Sequence, residues 1–269
     1  MSDAPTPPPF CGPALCAVIP ANITGEGGFR PALVPLGGRP LLAWTLEAAM
    51  TCRSVREIVV VADHLELSLA AARLGRGRKP LRVLDVAQGL DTRQTLECAL
   101  RGHDLRGTAL ALLSVATPFR NAQDVDLAAA YFGRELGRGA QSLVSLSNLL
   151  RAQELSSLRW VMREFPLPGL REARAAVSRK LYEFGGNPPS IQGLELAALH
   201  PAITLLTPAA QRQWAAMRDA VEPPAPLGYL LPEERALELQ CESDLRRAQA
   251  ILGRADHTTV FAPPLTAAA

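Results

Sequence analysis

The chain has 269 residues, enough for one large domain, and 48% of them are hydrophobic, enough for a full core. Its 28 basic and 26 acidic side chains leave a net charge of +2, so neither nucleic acid nor an anionic membrane is indicated as a partner. Five cysteines (Cys11, Cys16, Cys52, Cys98, Cys241) include no pair at zinc or redox spacing. The histidines His64, His103, His200 and His257 form no helical metal pair. Reduced thiols, and a proline-rich start with no basic-then-apolar leader, predict a cytoplasmic protein. The longest apolar stretch, near Ala109 to Ala116, is too short to cross a bilayer.

Residues 1–13 read as a flexible leader, 14–256 as a single domain and 257–269 as a flexible tail. Ala14 to Pro20 is a short apolar strand that runs into a Gly-rich loop. Pro40 is expected as the first residue of a helix carrying Leu41, Leu42, Leu46, Ala49 and Met50. Ile58 to Val61 is a continuous β-branched run inside a strand over Glu57 to Asp63, as expected of a strand covered on both faces. A helix follows over Leu65 to Leu74, a strand over Leu81 to Val86 and a helix over Thr92 to Leu100. Thr108 to Val115 reads as a buried strand, Asp124 to Leu136 as a helix and Ser142 to Leu146 as a strand. Such β-α-β-α alternation predicts a doubly wound α/β fold, with a mostly parallel sheet and helices on both faces.

After residue 150 the rhythm weakens. Ala202 to Leu206 reads as a strand, and Thr207 as the cap of a helix with Pro208 at its first position and Gln211 to Arg218 as its body. Tyr229 to Leu231 and Ala236 to Leu239 are short strand candidates. Ser243 is expected to cap a last helix that Gly253 ends.

Ligands of such sheets bind beyond the C-terminal ends of the strands. The loop after the first strand, Pro20-Ala21-Asn22-Ile23-Thr24-Gly25-Glu26-Gly27-Gly28-Phe29-Arg30, is therefore the candidate site. Its glycines allow backbone N–H groups to approach phosphates. The loop matches neither the P-loop nor the dinucleotide G-x-G-x-x-G pattern, and a plain flexible loop fits the same spacing.

Ala17-Val18-Ile19-Pro20-Ala21, the Gly-rich loop and Pro35-Leu36-Gly37-Gly38-Arg39-Pro40-Leu41-Leu42 together resemble the start of the cytidylyltransferases that make CMP-sialic acid and related CMP-sugar acids. They resemble the methylerythritol-phosphate cytidylyltransferases less closely. Thr117-Pro118-Phe119-Arg120 with Ala122-Gln123-Asp124-Val125-Asp126 is similar to the family's "T-S-P-L-R-x-x-x-D-I-D". Gly139 to Ser145 is similar to its "G-A-D-S-V-V-S", and Pro232 to Leu245 to its closing "P-P-E-R-S-x-D-I-D-T-x-x-D". The resemblance implies a nucleotidyltransferase (Rossmann-like) sheet. It also implies a small inserted dimerisation subdomain over 151–199, in which Trp160, Met162, Phe165 and Leu167 serve either as interface anchors or as core.

The family's loop resembles "A-R-G-G-S-K-G-x-x-x-K-N", whose cations meet the triphosphate. Here the Arg position is Asn22, the first Lys position is Glu26 and the final pair is Pro31-Ala32. The two aspartates that hold Mg²⁺ align with Glu238 and Gln240, the nucleotide-side Gln with Ser114, and an "N-G" with His200-Pro201. The nucleotide-binding candidates are thus Asn22, Gly25, Gly27, Gly28, Arg30 and Ser114. Arg30 and Glu238 are the catalytic candidates, and Glu238 is the remaining metal ligand. Asp91 and Arg93 are weaker candidates, since Asp91 also suits a helix cap and Arg120 suits a loop anchor. Substitutions at triphosphate, metal and base positions together favour a degenerate cytidylyltransferase-like protein that binds a ligand or a partner, as a homodimer or with a pathway enzyme. The alternative is an active enzyme that joins CMP from CTP to a sugar acid and releases pyrophosphate, by positioning and charge neutralisation with Mg²⁺.

Overall fold

Alternate residues of the central strands bury against opposite helical layers, and this two-sided burial organises the chain. The structure, a computed structural model, describes residues 12–22, 31–77, 79–102, 105, 107–148, 160–162, 180–182, 197–217, 223–224 and 226–254. Leu15–Ala21 form β1, and Pro35–Leu36 (β2) and Arg39–Pro40 (β3) make a small hairpin. Its turn needs left-handed backbone at two successive positions, and Gly37 (φ 59°) and Gly38 (φ 77°) supply it. There follow α1 (Leu41–Thr51), β4 (Val55–Ala62), α2 (Leu65–Leu74), β5 (Leu81–Asp85), α3 (Thr92–Gly102) and β6 (Ala109–Leu112). Next are α4 (Ala122–Leu136), β7 (Ser142–Asn148), β8 (Trp160–Met162), β9 (Lys180–Tyr182), β10 (Ala197–Leu206), α5 (Pro208–Ala216), β11 (Pro226–Leu230) and α6 (Glu242–Arg254).

Seven strands form one sheet in the order β11-β7-β10-β6-β1-β4-β5. β5, β4, β1 and β6 are mutually parallel, as are β7 and β11, and β10 alone runs against its neighbours β6 and β7. In β1 and β4, Leu15, Ala17, Ile19, Ile58 and Val60 pack with Leu42 and Leu46 of α1, Leu67 of α2 and Phe132 of α4. Cys16, Val18, Val59 and Val61 face the other way, toward Leu96 and Ala99 of α3 and Trp214 of α5. The doubly wound, mostly parallel α/β sheet with helices on both faces is thus present. A third cluster joins Leu36, Leu41 and Phe119 to Leu237, Leu239 and Ala248.

Four local expectations are corrected. Pro40 is not the first residue of α1 but precedes it in extended backbone (φ −62°, ψ 147°), because it pairs with Pro35 in the hairpin. The strand expected over Thr108 to Val115 is shorter, Ala109–Leu112, since the chain turns at 115–116 beyond it. Ala236 to Leu239 is not a strand. It follows a 3₁₀ turn over Glu233–Arg235 and is tied to the turn after β6 by the Leu239 N–H bond to the Ala116 carbonyl (2.8 Å). Ser243 does not cap α6. The Asp244 carboxylate reaches back to the Gln240 and Cys241 N–H groups (3.0 and 3.2 Å), an acid three residues in serving the helix start. Thr207 does cap α5, accepting from the Ala210 N–H (3.2 Å), with Pro208 next.

Of 151–199, the structure describes the antiparallel pair β8–β9 and the start of β10. Phe165 and Leu167 lie outside the described residues, as do residues 1–11 and 255–269. The four described cysteines are free thiols. Among the described residues no helix is long and apolar enough to cross a membrane.

Candidate functional site

Because the chain leaves β1 toward β4 and β5 and returns through β6 on the other side, the strand order reverses between β1 and β6. A crevice at such a reversal is where α/β sheets bind ligands. A cavity of about 460 Å³ lies there. Asn22, which follows β1, and Ser114, which follows β6, line it together with Thr92 at the start of α3, Trp214 of α5 and Glu238. β10 is antiparallel, so His200, Pro201 and Thr204, ahead of its C-terminal end, reach the same edge.

Asn22, Ser114 and Glu238 are thus brought together around one cavity. Gly25, Gly27, Gly28 and Arg30 lie outside the described residues, as does Glu26. Arg39 does not line this cavity. It pairs with Glu47 (2.6 Å) and sits over the Trp44 ring, 5.2 Å from its centroid. Gln240 is exposed and not among the lining residues.

Ser114 and Glu238 are each held by a particular local device. The Ser114 hydroxyl accepts the Ala116 N–H (3.2 Å), closing a tight turn after β6. Its carbonyl accepts from Thr117 Oγ1 and from Arg120 Nη1, both at 3.1 Å. Glu238 is placed by alternation: Leu237 and Leu239 on either side are buried, and the half-buried carboxylate between them borders the cavity. Upstream, Arg235 Nε bonds the fully buried Asp124 carboxylate at 2.8 Å, anchoring this segment to α4. Burial pushes the Asp124 carboxyl up, while the Asn121 N–H and the Arg235 guanidinium pull it back.

A residue the sequence marked only as a departure turns out to be central. Between His200 and Thr204, β10 carries three residues with no partner on β7, where the register jumps from Ser145 to Val144. Pro201 has no N–H for the ladder, so a bulge forms where a donor is missing. The buried Ser145 hydroxyl spans it, donating to the His200 carbonyl (2.6 Å) and accepting from the Ile203 N–H (3.0 Å). Arg120 Nη1 donates to the Ala202 carbonyl (2.8 Å), so one buried guanidinium ties the bulge to the Ser114 turn. Its Nε and Nη2 have no hydrogen-bond partner, and burial holds Arg120 down at about 10. Arg120 is therefore a loop anchor.

The bulge leaves the His200 side chain on the cavity wall, buried at 7% exposure. Its Nδ1 lies 3.4 Å from the Ala202 N–H, its Nε2 is fully buried with no partner in hydrogen-bond geometry, and the Ala236 carbonyl is close enough to favour a protonated ring. Burial holds the imidazole down at about 4; Arg120 adds to the shift and the nearby Ala236 carbonyl opposes it. At neutral pH the imidazole is therefore neutral, and among the described lining residues Glu238 is the one carboxylate and none is Lys or Arg.

The weaker candidates have structural roles. Asp91 and Gln94 close a reciprocal cap at the start of α3 (Gln94 N–H to Asp91 Oδ1, 2.6 Å; Asp91 N–H to Gln94 Oε1, 2.9 Å). Arg93 Nη1 donates to the Ala215 carbonyl (3.4 Å), linking α3 to α5. As a Mg²⁺ site the described wall offers one carboxylate beside the neutral oxygens of Asn22 and Ser114. Among the described residues no three His, Cys, Asp or Glu side chains gather. That set would supply one carboxylate to a Mg²⁺ ion otherwise held by water and substrate phosphates, and not an all-protein cage.

No family model matches the chain. In sequence it is similar to the 2-C-methyl-D-erythritol 4-phosphate cytidylyltransferase of Frankia casuarinae, 33% identical over 125 residues that make up 45% of each chain. It is also similar to the 3-deoxy-manno-octulosonate cytidylyltransferase of Bdellovibrio bacteriovorus, 36% identical over 61 residues, 23% of this chain and 25% of that one. The matches thus span less than half the length of these curated relatives. In fold it is similar to a 4-diphosphocytidyl-2C-methyl-D-erythritol synthase from Anaerococcus prevotii (TM-score 0.59, 13% identity, 90% of this chain and 100% of that one). A CMP:2-keto-3-deoxy-manno-octonic acid synthetase complexed with CTP is likewise similar (TM-score 0.64, 13% identity, 89% and 98%). The similarity therefore lies with cytidylyltransferases in general and does not single out those that make CMP-sialic acid. The chain is similar to cytidylyltransferases over part of its sequence and has their α/β fold.

Proposed function

We propose that this chain is a cytidylyltransferase-like protein that lacks ordinary CTP-dependent transfer and works in the cytoplasm as a binding or partner protein. Oligomerisation through 151–199, as a homodimer or with a pathway enzyme, belongs to the same proposal. The observation that carries it is the cavity at the β1–β6 reversal. A cavity of ligand size lies there, its described wall includes Glu238 and a neutral His200, and Asn22 stands where the family resemblance places an arginine. Among the described lining residues a triphosphate finds no cation. Likeness in fold to a synthetase complexed with CTP favours the second reading, an active enzyme that transfers CMP to a sugar acid.

Calorimetric titration with CTP, with and without Mg²⁺ and with ATP and GTP as controls, separates the two. The first reading expects no Mg²⁺-enhanced, CTP-selective binding. Such binding, followed by pyrophosphate release with a sugar acid, would replace it with the second.

A further inference from the structure

Three stretches far apart in sequence meet around the cavity: the turn after β6 with Ser114 and Ala116, the β10 bulge with His200 and Thr204, and the segment that carries Glu238. The bonds among them form a closed circuit. Asp124, near the start of α4, accepts from the Asn121 N–H (3.0 Å) and from Arg235 Nε (2.8 Å). Farther along the Arg235 segment, the Leu239 N–H donates to the Ala116 carbonyl (2.8 Å). Just before Ala116, the Ser114 carbonyl accepts from Arg120 Nη1 (3.1 Å), and Arg120 leads directly into Asn121. The same Nη1 reaches the Ala202 carbonyl (2.8 Å) and so takes in the bulge.

The charged members of this circuit are dry: Asp124 is fully buried and Arg120 is 2% exposed. A buried guanidinium finds no water when a carbonyl leaves it, and a buried carboxylate that loses its cation is stranded. Moving one stretch alone therefore strands a group on another, whereas moving all three opens the circuit to water. Arg120 and Asp124 fall in one of the segments that carry the family resemblance, and Arg235 falls in another. We infer that Arg120, Asp124 and Arg235 are positioning residues that make the turn after β6, the β10 bulge and the Glu238 segment one cooperative unit, which opens and closes as a whole beside the cavity. A ligand that contacts one of the three only in the closed unit then stabilises all of them. The inference goes beyond both readings of function and requires no particular ligand.

Native-state hydrogen exchange on the full chain, followed amide by amide in low denaturant, is the test. The Ala116, Ile203 and Leu239 N–H groups report the three stretches; they are held by the Ser114 hydroxyl, the Ser145 hydroxyl and the Ala116 carbonyl. In the parent chain the three are expected to share one protection factor, within about threefold, and to exchange faster than the buried β4 amides of Val59 and Val60. Three different values, or exchange only together with the β4 amides, overturns the inference.

Three variants then read the assigned roles. Arg120→Met is expected to raise exchange at all three amides about tenfold or more, the size of a lost bond to a charged group. Arg120→Lys is expected to recover most of that protection, because the arginine's bonds all leave from Nη1 and an ammonium can make them. Arg235→Gln is expected to raise exchange of the Ile203 N–H, to which Arg235 makes no bond, as much as that of Leu239. Loss confined to residues 114–121 in Arg120→Met, or to residues 232–239 in Arg235→Gln, overturns the unit. No recovery in Arg120→Lys overturns the part given to Nη1. If Arg120→Met does not fold, the parent chain and Arg235→Gln decide. All of these results leave both readings of function standing, since none involves CTP.

Discussion

The strands on the two sides of the β1–β6 reversal are held by different forces. Toward β4 and β5 the sheet relies on continuous apolar burial: Ile58, Val59, Val60 and Val61 are fully buried between α1 and α2 on one side and α3 on the other. Toward β10, β7 and β11 it relies on buried polar groups: Ser145 across the bulge, Arg120 from Ser114 to Ala202, and Asp124 with Arg235. The first kind of packing loses stability in proportion to the volume removed. The second loses it when one partner goes and the other is stranded. The bulge on the polar side also forms part of the cavity wall, so a change there touches both stability and the cavity.

The largest expected effect breaks the polar side. Arg235→Ala leaves the Asp124 carboxylate buried without its cation and is expected to cost about 3 kcal/mol in denaturant unfolding. Ile58→Ala on the apolar side is expected to cost a similar amount, roughly 2–5 kcal/mol, for a different reason. A second substitution sharpens the contrast: adding Asp124→Asn to Arg235→Ala removes the stranded charge and recovers part of the loss, whereas no such rescue exists for Ile58→Ala. A cost below about 1 kcal/mol for Arg235→Ala would show that the two sides do not differ in this way.

The next effect is read by pH. The His200 imidazole has a folded value of about 4 against an ordinary 6.5, so between these the unfolded chain holds the proton and the folded chain does not. Stability from this group is therefore complete above about pH 6.5 and lost as pH falls toward 4, by up to about 3 kcal/mol. Unfolding midpoints at pH 7 and pH 5 are expected to lie closer together in His200→Phe than in the parent chain. Equal pH dependence in the two proteins would place the titrating group elsewhere.

The apolar side is also the side that was legible in the sequence. Ile58–Val61 announced a strand covered on both faces, and the helix expected over Leu65–Leu74 has those bounds in the structure. Thr207-Pro208 gave the start of α5 by cap chemistry alone. The polar side was readable only in pieces. Asn22, Ser114 and Glu238 were singled out by resemblance, but nothing in their spacing says that one cavity joins residues 22, 114 and 238. The bulge could not be seen, because it depends on Ser145 standing opposite Pro201–Ile203 in a register that only pairing sets. Pro201 was the one local signal: a proline within a central strand cannot donate to the ladder. Ala236–Leu239 misled because alternating burial looks like a strand, while the segment's alternation comes from packing Leu237 and Leu239 into the third apolar cluster.

The smallest expected effect separates a cap from a site within two neighbouring residues. Asp91 and Gln94 satisfy each other's backbone N–H groups, while Thr92 borders the cavity. Asp91→Ala is therefore expected to cost about 1 kcal/mol of stability, the usual size of a lost helix cap, and to leave ligand affinity within about twofold. Thr92→Val keeps the helix start and removes a hydroxyl from the wall, so it should do the reverse. Unfolding midpoints and titrations with CTP and with cytidine on the two variants measure both quantities. If Asp91→Ala weakened binding more than Thr92→Val at equal stability, the carboxylate would be acting on the ligand, and the described wall would carry a second negative group at the start of α3.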